Sequence, residues 1–326
     1  MRLNFSFIEE SKMEPGIRIL AALLEDKCLT SYTPVPYLFT GAGNNFVVLD
    51  GRAGGMDPYR DPARIGALCR AHHTDGLMIL TVPVMSGLVM TGSDRSSSPD
   101  FAMEFYNPDG SGGMMCGNGG RCIVAFADYL GLKPASPDGT WRFLAPDGLH
   151  TAEILRRETS GPGPAPRPIW TVRLKMIDVE GVTPIKGGYF LNTGTRHFVQ
   201  FRSGIDSLDM EREAKPLRWD PAFQPEGTNV NFVEVRADGL HVRTFEKGVE
   251  GETLACGTGI TASAIAAYEA GIPGQAGNDR HARPRPGISY RLQCRRGDWL
   301  SVEFTPDGAG FKDVYLTGPA ELISLE

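Results

Sequence analysis

Met115-Cys116-Gly117-Asn118-Gly119 and Ala255-Cys256-Gly257-Thr258-Gly259 carry the same C-G-x-G turn, 140 residues apart in a chain of 326. Each turn follows a strand-like stretch, ending Phe105-Tyr106 in one case and Thr244-Phe245 in the other. Each also leads into an apolar run with helical spacing. Two such strand–turn–helix passages read as an internal duplication, hence as two similar α/β domains that each present a cysteine at a helix start. Further upstream, Asn44-Asn45-Phe46-Val47 pairs with Asn229-Val230-Asn231-Phe232-Val233 as a second echo of the same duplication.

The surrounding pattern fits. Asn45 to Asp50 reads as a strand closed by the turn signal Asp50-Gly51, and 62–72 as a helix with Asp61 as its cap and Pro62 in the first position. Strands are expected at 77–82, 101–106, 198–201, 230–235 and 242–245, and helices at 121–130 and 260–270, stopped by Gly131 and Gly271. Residues 160–168, rich in Pro and Gly, are read either as an interdomain linker or as an exposed hairpin tip. Residues 1–33, with a helical turn or two at 17–24, read as an extension without visible chemistry.

Composition narrows the classes. Hydrophobic residues make up 41% of the chain and charged residues 22%, with 33 Lys+Arg against 39 Asp+Glu and a formal charge of −6. That balance gives no positive field for phosphate backbones, so nucleic acid is not an expected partner. No run approaches the roughly 20 apolar residues that cross a bilayer, and the first ten residues lack a secretory pattern. The expected setting is therefore cytoplasmic, with no membrane partner. The six cysteines (28, 69, 116, 122, 256 and 294) include no C-x-x-C pair, and the six histidines have no zinc-type spacing, so free thiols are expected and no metal. Neither dinucleotide nor P-loop glycine patterns occur, which argues against a nucleotide cofactor.

A thiol in C-G-x-G at a helix mouth has specific chemistry. The glycines allow a tight turn that exposes backbone N–H groups, and the partial positive charge of the helix start favours an anion and lowers a cysteine pKa. A pair of such thiols, one per domain, points to a cleft in which one takes a proton from a carbon centre and the other returns it from the opposite side. Cys28, Cys69, Cys122 and Cys294 have no such setting and are read as structural.

Longer motifs make the resemblance specific. G-A-G-N-N-F at 41–46, N-P-D-G-S at 107–111, M-C-G-N-G-G-R-C at 115–122, G-T-N-V-N-F at 227–232 and E-K-G-V-E-G-E-T-L-A-C-G-T-G at 246–259 closely resemble the diaminopimelate epimerase family, in order from about Tyr37 to the C-terminus. The resemblance implies an α/β (α+β) fold of two pseudo-symmetric domains, each a curved, mostly antiparallel sheet around a central helix, with the site in the interdomain cleft. It implies boundaries of 1–33 for the extension, 34–173 and 174–313 for the domains, with 314–326 returning to the first.

It further implies a cofactor-independent two-base epimerase that converts LL-2,6-diaminopimelate to the meso form, with no cofactor and a small amino-acid substrate as partner. A homodimer is left open. Cys116 and Cys256 would be the acid/base thiols. Asn44, Asn107 and Asn229 would hydrogen-bond substrate, the amides of Gly117-Asn118 and Gly257-Thr258 would cradle its carboxylate, and His197 and Glu246 would sit beside the thiols. Three positions depart from the common pattern. Thr195 stands where a ligand asparagine is usual, Gly76 follows Asp75 where some members carry glutamine, and Lys247 replaces an arginine that would grip the distal carboxylate. Lysine keeps that charge but loses the planar fork. A racemase for another amino acid is the alternative on this fold, although proline-type racemases carry a histidine where this chain has Asn118. A non-catalytic binding or thiol-sensing protein is the other.

Overall fold

Alternating apolar runs rich in Val, Ile, Leu and Phe form strands here because one face of each is buried. The computed structural model describes residues 33–83, 98–113, 115–160, 166–274 and 287–325. The readings of Cys28 and of the helical turn at 17–24 lie outside them. The first half runs β1 (Tyr37–Gly41), β2 (Asn44–Asp50), α1 (Pro62–His72), β3 (Gly76–Thr81), β4 (Phe101–Tyr106), α2 (Gly117–Tyr129), β5 (Trp141–Ala145), β6 (Gly148–Thr159) and β7 (Pro168–Lys175). The second runs β8 (Val182–Ile185), β9 (Gly188–Asn192), β10 (Arg196–Phe201), α3 (Met210–Arg218), β11 (Asn229–Arg236), β12 (Gly239–Glu246), β13 (Gly251–Thr253), α4 (Gly257–Glu269), β14 (Ile288–Gln293), β15 (Trp299–Asp307) and β16 (Gly310–Leu325).

The pairing repeats. β2 lies parallel to β3, β3 antiparallel to β4, and β4 parallel to β5; likewise β10 is parallel to β11, β11 antiparallel to β12, and β12 parallel to β14. Each parallel pair needs a crossover. α1 and α3 supply the first crossover in each half, α2 and α4 the second. The two halves are therefore pseudo-symmetric, as expected. β16 joins them, pairing with β15 over its first part and with β7 and β1 over its last. Because β1 and β7 both bond to β16, strands β1–β7 and β16 close into a ring around α2, which leaves no free edge.

Both central helices are buried on every side through their middle turns. Ile123, Val124, Ala125, Phe126 and Ala127 in α2 and Ala262, Ile265, Ala266 and Ala267 in α4 are wholly buried, as a helix enclosed by sheet requires. Phe126 packs its ring against Tyr37 and Phe39 at centroid distances of 4.9 and 5.7 Å. Truncating such a ring to alanine costs about 3–5 kcal/mol.

The pairing corrects the upstream echo. The strand at Asn44 is β2, whose topological counterpart is β10; the strand at Asn229 is β11, whose counterpart is β3. The shared asparagines arise from similar local sequence, not equivalent positions. Both central helices also begin earlier than the 121 and 260 expected, at Gly117 and Gly257. Glycine is a poor helix former, so the first turn carries no apolar signal and is held instead by tertiary packing. α3 is unanticipated in sequence because Pro216 lies inside it. β6 and β7 pair antiparallel as far as Thr159 and Pro168, and Ser160 N donates to Arg167 O, so the described ends of 160–168 fit the hairpin reading and not the linker. The expected division at 173/174 falls inside β7.

Candidate active site

Cys116 and Cys256 occupy equivalent places, each the residue that caps a central helix from extended backbone (φ −81°, ψ 130° and φ −130°, ψ 110°). Both thiols therefore sit at the start of a central helix, beside its first-turn amides. The two helices meet at these ends. A Cβ on Gly257 would stand 3.5 Å from Gly117 Cα and 3.1 Å from Leu316 Cδ2. The two N-termini lie in contact range of each other, so their dipoles converge on one spot.

That spot opens into a cavity of about 1110 Å³ lined by both cysteines, together with Gly117, Gly257 and Thr258. Asn44, Asn107, Thr195, Glu246 and Lys247 line it too. Asn44 Oδ1 accepts from Asn118 Nδ2 at 2.5 Å, and Asn118 Oδ1 accepts from Arg121 Nη2 at 2.8 Å. Asn107 Nδ2 donates to Ser111 Oγ at 3.0 Å, tying its loop. The side chain of Lys247 has no hydrogen bond or ion pair to any described residue.

His197, Asn118 and Asn229 stand behind the wall instead of on it. His197 is wholly buried. Its Nδ1 accepts from Asn231 Nδ2 at 2.9 Å, and the Asn231 amide is oriented in turn by Thr244 Oγ1 donating to its Oδ1. Nε2 therefore carries the ring proton and meets Thr258 Oγ1 at 3.0 Å and Thr195 Oγ1 at 2.9 Å. Thr258 Oγ1 lies 3.4 Å from Cys256 Sγ, so the histidine reaches the thiol only through that hydroxyl. Burial holds the ring pKa down at about 3, which keeps the imidazole neutral. Asn229 commits its amide to the protein: Nδ2 donates to Arg196 O at 3.1 Å and Oδ1 accepts from Lys247 N at 2.7 Å. It holds the Lys247 backbone in place and does not line the cavity.

The expectation of depressed thiol pKa values is corrected. The amides of Gly119 and Asn118 address Cys116, and that of Gly259 addresses Cys256, but burial outweighs them and pushes both thiols up. Glu246, itself raised by burial and by Asp75, adds to the effect on both.

Three cavity residues have no sequence motif. Asp147 Oδ1 accepts from Met115 N at 3.2 Å and pairs with His150 Nε2 at 3.0 Å, pinning the segment before Cys116. Lys175 also lines the cavity and bonds Asp178. Asn231 was detectable, since period two on β11 puts it on the face of Asn229. The described cysteines 69, 116, 122, 256 and 294 are all free. Among the described residues there is no His/Cys/Asp/Glu group able to hold a metal and no helix long and apolar enough to cross a membrane.

A duplicated fold that brings two capping cysteines into one cavity has the architecture of a paired-domain epimerase, an isomerase. Solved structures share that fold: a phenazine biosynthesis protein of the PhzF family from Bacillus anthracis (TM-score 0.60, 12% identity, covering 91% of this chain and 99% of that one) and a probable proline racemase from Agrobacterium radiobacter K84 (TM-score 0.57, 16% identity, 90% and 92%). The family model for diaminopimelate epimerase matches residues 189–278. A diaminopimelate epimerase of Flavobacterium psychrophilum is 34% identical over 288 residues, covering 88% of this chain and 97% of that protein. The chain belongs to the diaminopimelate epimerase family.

Proposed function

We propose that the protein interconverts LL- and meso-2,6-diaminopimelate, with Cys116 and Cys256 as the acid/base pair. One sulfur, as thiolate, takes the α-proton as the Cα–H bond breaks and its electron pair passes into the carboxylate. The other thiol gives its proton to the opposite face of the same carbon and becomes the new thiolate. The observation that carries the reading is the single cavity lined by both cysteines at two adjoining helix starts. The amides of those first turns favour the α-carboxylate and the extra charge it gains in the transition state.

Neutral His197 holds Thr258 and thereby Cys256. An incoming α-ammonium beside Glu246 offsets the repulsion that this carboxylate exerts on a thiolate. Lys247, unpaired on the cavity wall, suits the distal carboxylate, and Asn44 and Asn107 its neighbouring groups. The reaction fits a cytoplasmic route to lysine and peptidoglycan precursors. We divide the chain into β1–β7 with the end of β16, and β8 to the first part of β16.

In D₂O, diaminopimelate incubated with the reduced protein should gain deuterium at the α-carbon and yield the epimer. Neither exchange nor epimer under those conditions sinks the reading. Proline or histidine exchanging faster than diaminopimelate would move it to another amino acid.

A further inference from the structure

Four arginines are buried among the described residues: Arg121, Arg173, Arg218 and Arg243. Three hold carboxylates, Arg173 to Glu153 and Glu303, Arg218 to Glu250, and Arg243 to Glu252. Arg121 holds none. It is wholly buried in the second turn of α2 and donates Nη1 to Gly117 O at 3.3 Å, Nη2 to Asn118 Oδ1 at 2.8 Å and Nε to Pro319 O at 3.4 Å. A buried cation with only neutral acceptors is costly and calls for an anion nearby.

The duplication shows what this charge adds. Counting from the cysteine, the position of Arg121 in α2 is Thr261 in α4. Thr261 Oγ1 donates to Gly257 O at 3.0 Å, the same bond that Arg121 makes to Gly117 O. A hydroxyl is therefore enough to tie that carbonyl. The arginine brings a positive charge, and only in the first half.

We propose that Arg121 is a positioning residue that breaks the pseudo-symmetry of the site, its buried charge, unmatched by a carboxylate, favouring ionisation of Cys116 over that of Cys256. The proposal rests on the two-cysteine reading above and deepens it. The ionisable groups facing Arg121 are Cys122, Cys116, Cys294 and Asp298, and Asp298 lies 3.6 Å from its own neighbour Arg296. Glu246 on β12 and Arg121 on α2 are the charges that act on Cys116. Among the described residues, Glu246 and Cys116 are the ionisable groups that act most on Cys256. Through Asn118 the same guanidinium also orients Asn44, because Asn118 Oδ1 is committed to Arg121 and its Nδ2 is turned to Asn44 Oδ1.

The test is alkylation of the ligand-free, reduced protein by iodoacetamide across pH, with each cysteine followed by peptide mass spectrometry. Midpoints are compared instead of rates, because access differs between the two thiols. Cys116 should titrate at least about one unit below Cys256, a tenfold difference in thiolate fraction. Arg121→Thr, which copies the second half, should close that gap to within about threefold, and Arg121→Lys should keep it. Equal midpoints in the wild type, or an unchanged gap in a folded Arg121→Thr, overturn the proposal. If Arg121→Thr does not fold, the wild-type order and the Arg121→Lys gap decide, and loss of either overturns it. No amino acid is present, so failure here is separate from failure of the epimerase reading.

Discussion

Gly117 and Gly257 face each other where two helix N-termini meet, close enough that a Cβ on Gly257 would sit 3.5 Å from Gly117 Cα. This approach aims two sets of first-turn amides at one point. Gly257→Ala would also press its methyl to 3.1 Å from Leu316 Cδ2 and 3.5 Å from Asn118 Oδ1. The strain should cost about 1–3 kcal/mol of stability. Turnover should fall more than stability, since a small displacement separates the sulfurs from the substrate carbon. Urea denaturation and steady-state rates on the same sample test this; a variant with wild-type kcat removes the argument for close approach.

Replacing either sulfur should silence the enzyme. Cys116→Ser and Cys256→Ser keep the shape but exchange a thiol for a hydroxyl that does not ionise near neutral pH. General acid–base groups supply about 10²–10⁴-fold in rate, so kcat should drop by at least that factor in each. Partial activity in one of the two would mean that a single base suffices.

The pH profile follows from burial. The group that removes the proton must be a thiolate, and burial pushes Cys116 up from its ordinary value. Activity should therefore be lost as pH falls through the raised pKa of the base. The partner must stay protonated, and burial followed by Glu246 pushes Cys256 up as well, so the alkaline limb moves up too. The plot of kcat/KM against pH should be a bell displaced to the alkaline side of neutrality. A bell centred below pH 7 contradicts this.

Much of this site is legible in the sequence because its chemistry sits in contiguous turns: Cys116 with Gly117, and Cys256 with Gly257 and Thr258, are fixed by C-G-x-G at a helix start. The strand Asn44–Asp50 and the helix 62–72 with its Asp61 cap are equally local, and the cap does accept from Arg64 N. What sequence misses is set by long-range pairing. The place of Asp147, His150 and Lys175 in the wall depends on closure of the β1–β7 ring by β16, and the isolation of Arg121 depends on which carboxylates the fold leaves away from it. The balance between helix dipole and burial at the thiols is likewise tertiary, and burial wins.

His197 links folding to pH. Its pKa is about 3 when folded against an ordinary 6.5, so the unfolded chain binds a proton that the native state refuses. Its penalty is absent above 6.5 and grows as pH falls toward 3. By pH 5 the loss is about 2 kcal/mol from this group alone. Comparing urea midpoints at pH 7 and 5 for the wild type and His197→Gln isolates it. The variant should be less stable at pH 7, through its broken bonds to Asn231 and Thr258, yet show a flatter slope. An equal slope in both proteins assigns the acid sensitivity elsewhere.

Lys247 separates recognition from chemistry. Its backbone is held by Asn229 Oδ1 at 2.7 Å, while its side chain lines the cavity without a partner among the described residues. A lone ammonium meets a carboxylate as a point charge, whereas a guanidinium offers two parallel hydrogen bonds. Lys247→Ala should raise KM for diaminopimelate by about tenfold or more, since a charge-assisted hydrogen bond is worth roughly 1.5–3 kcal/mol. It should leave isotope exchange on an amino acid without a distal carboxylate unchanged. Lys247→Arg should lower KM for diaminopimelate severalfold if the neighbouring wall leaves room for the fork. The comparison of the two substrates carries the test: equal losses on both would place Lys247 in general electrostatics of the cavity, and a loss confined to the dicarboxylate fixes it at the far end of the substrate.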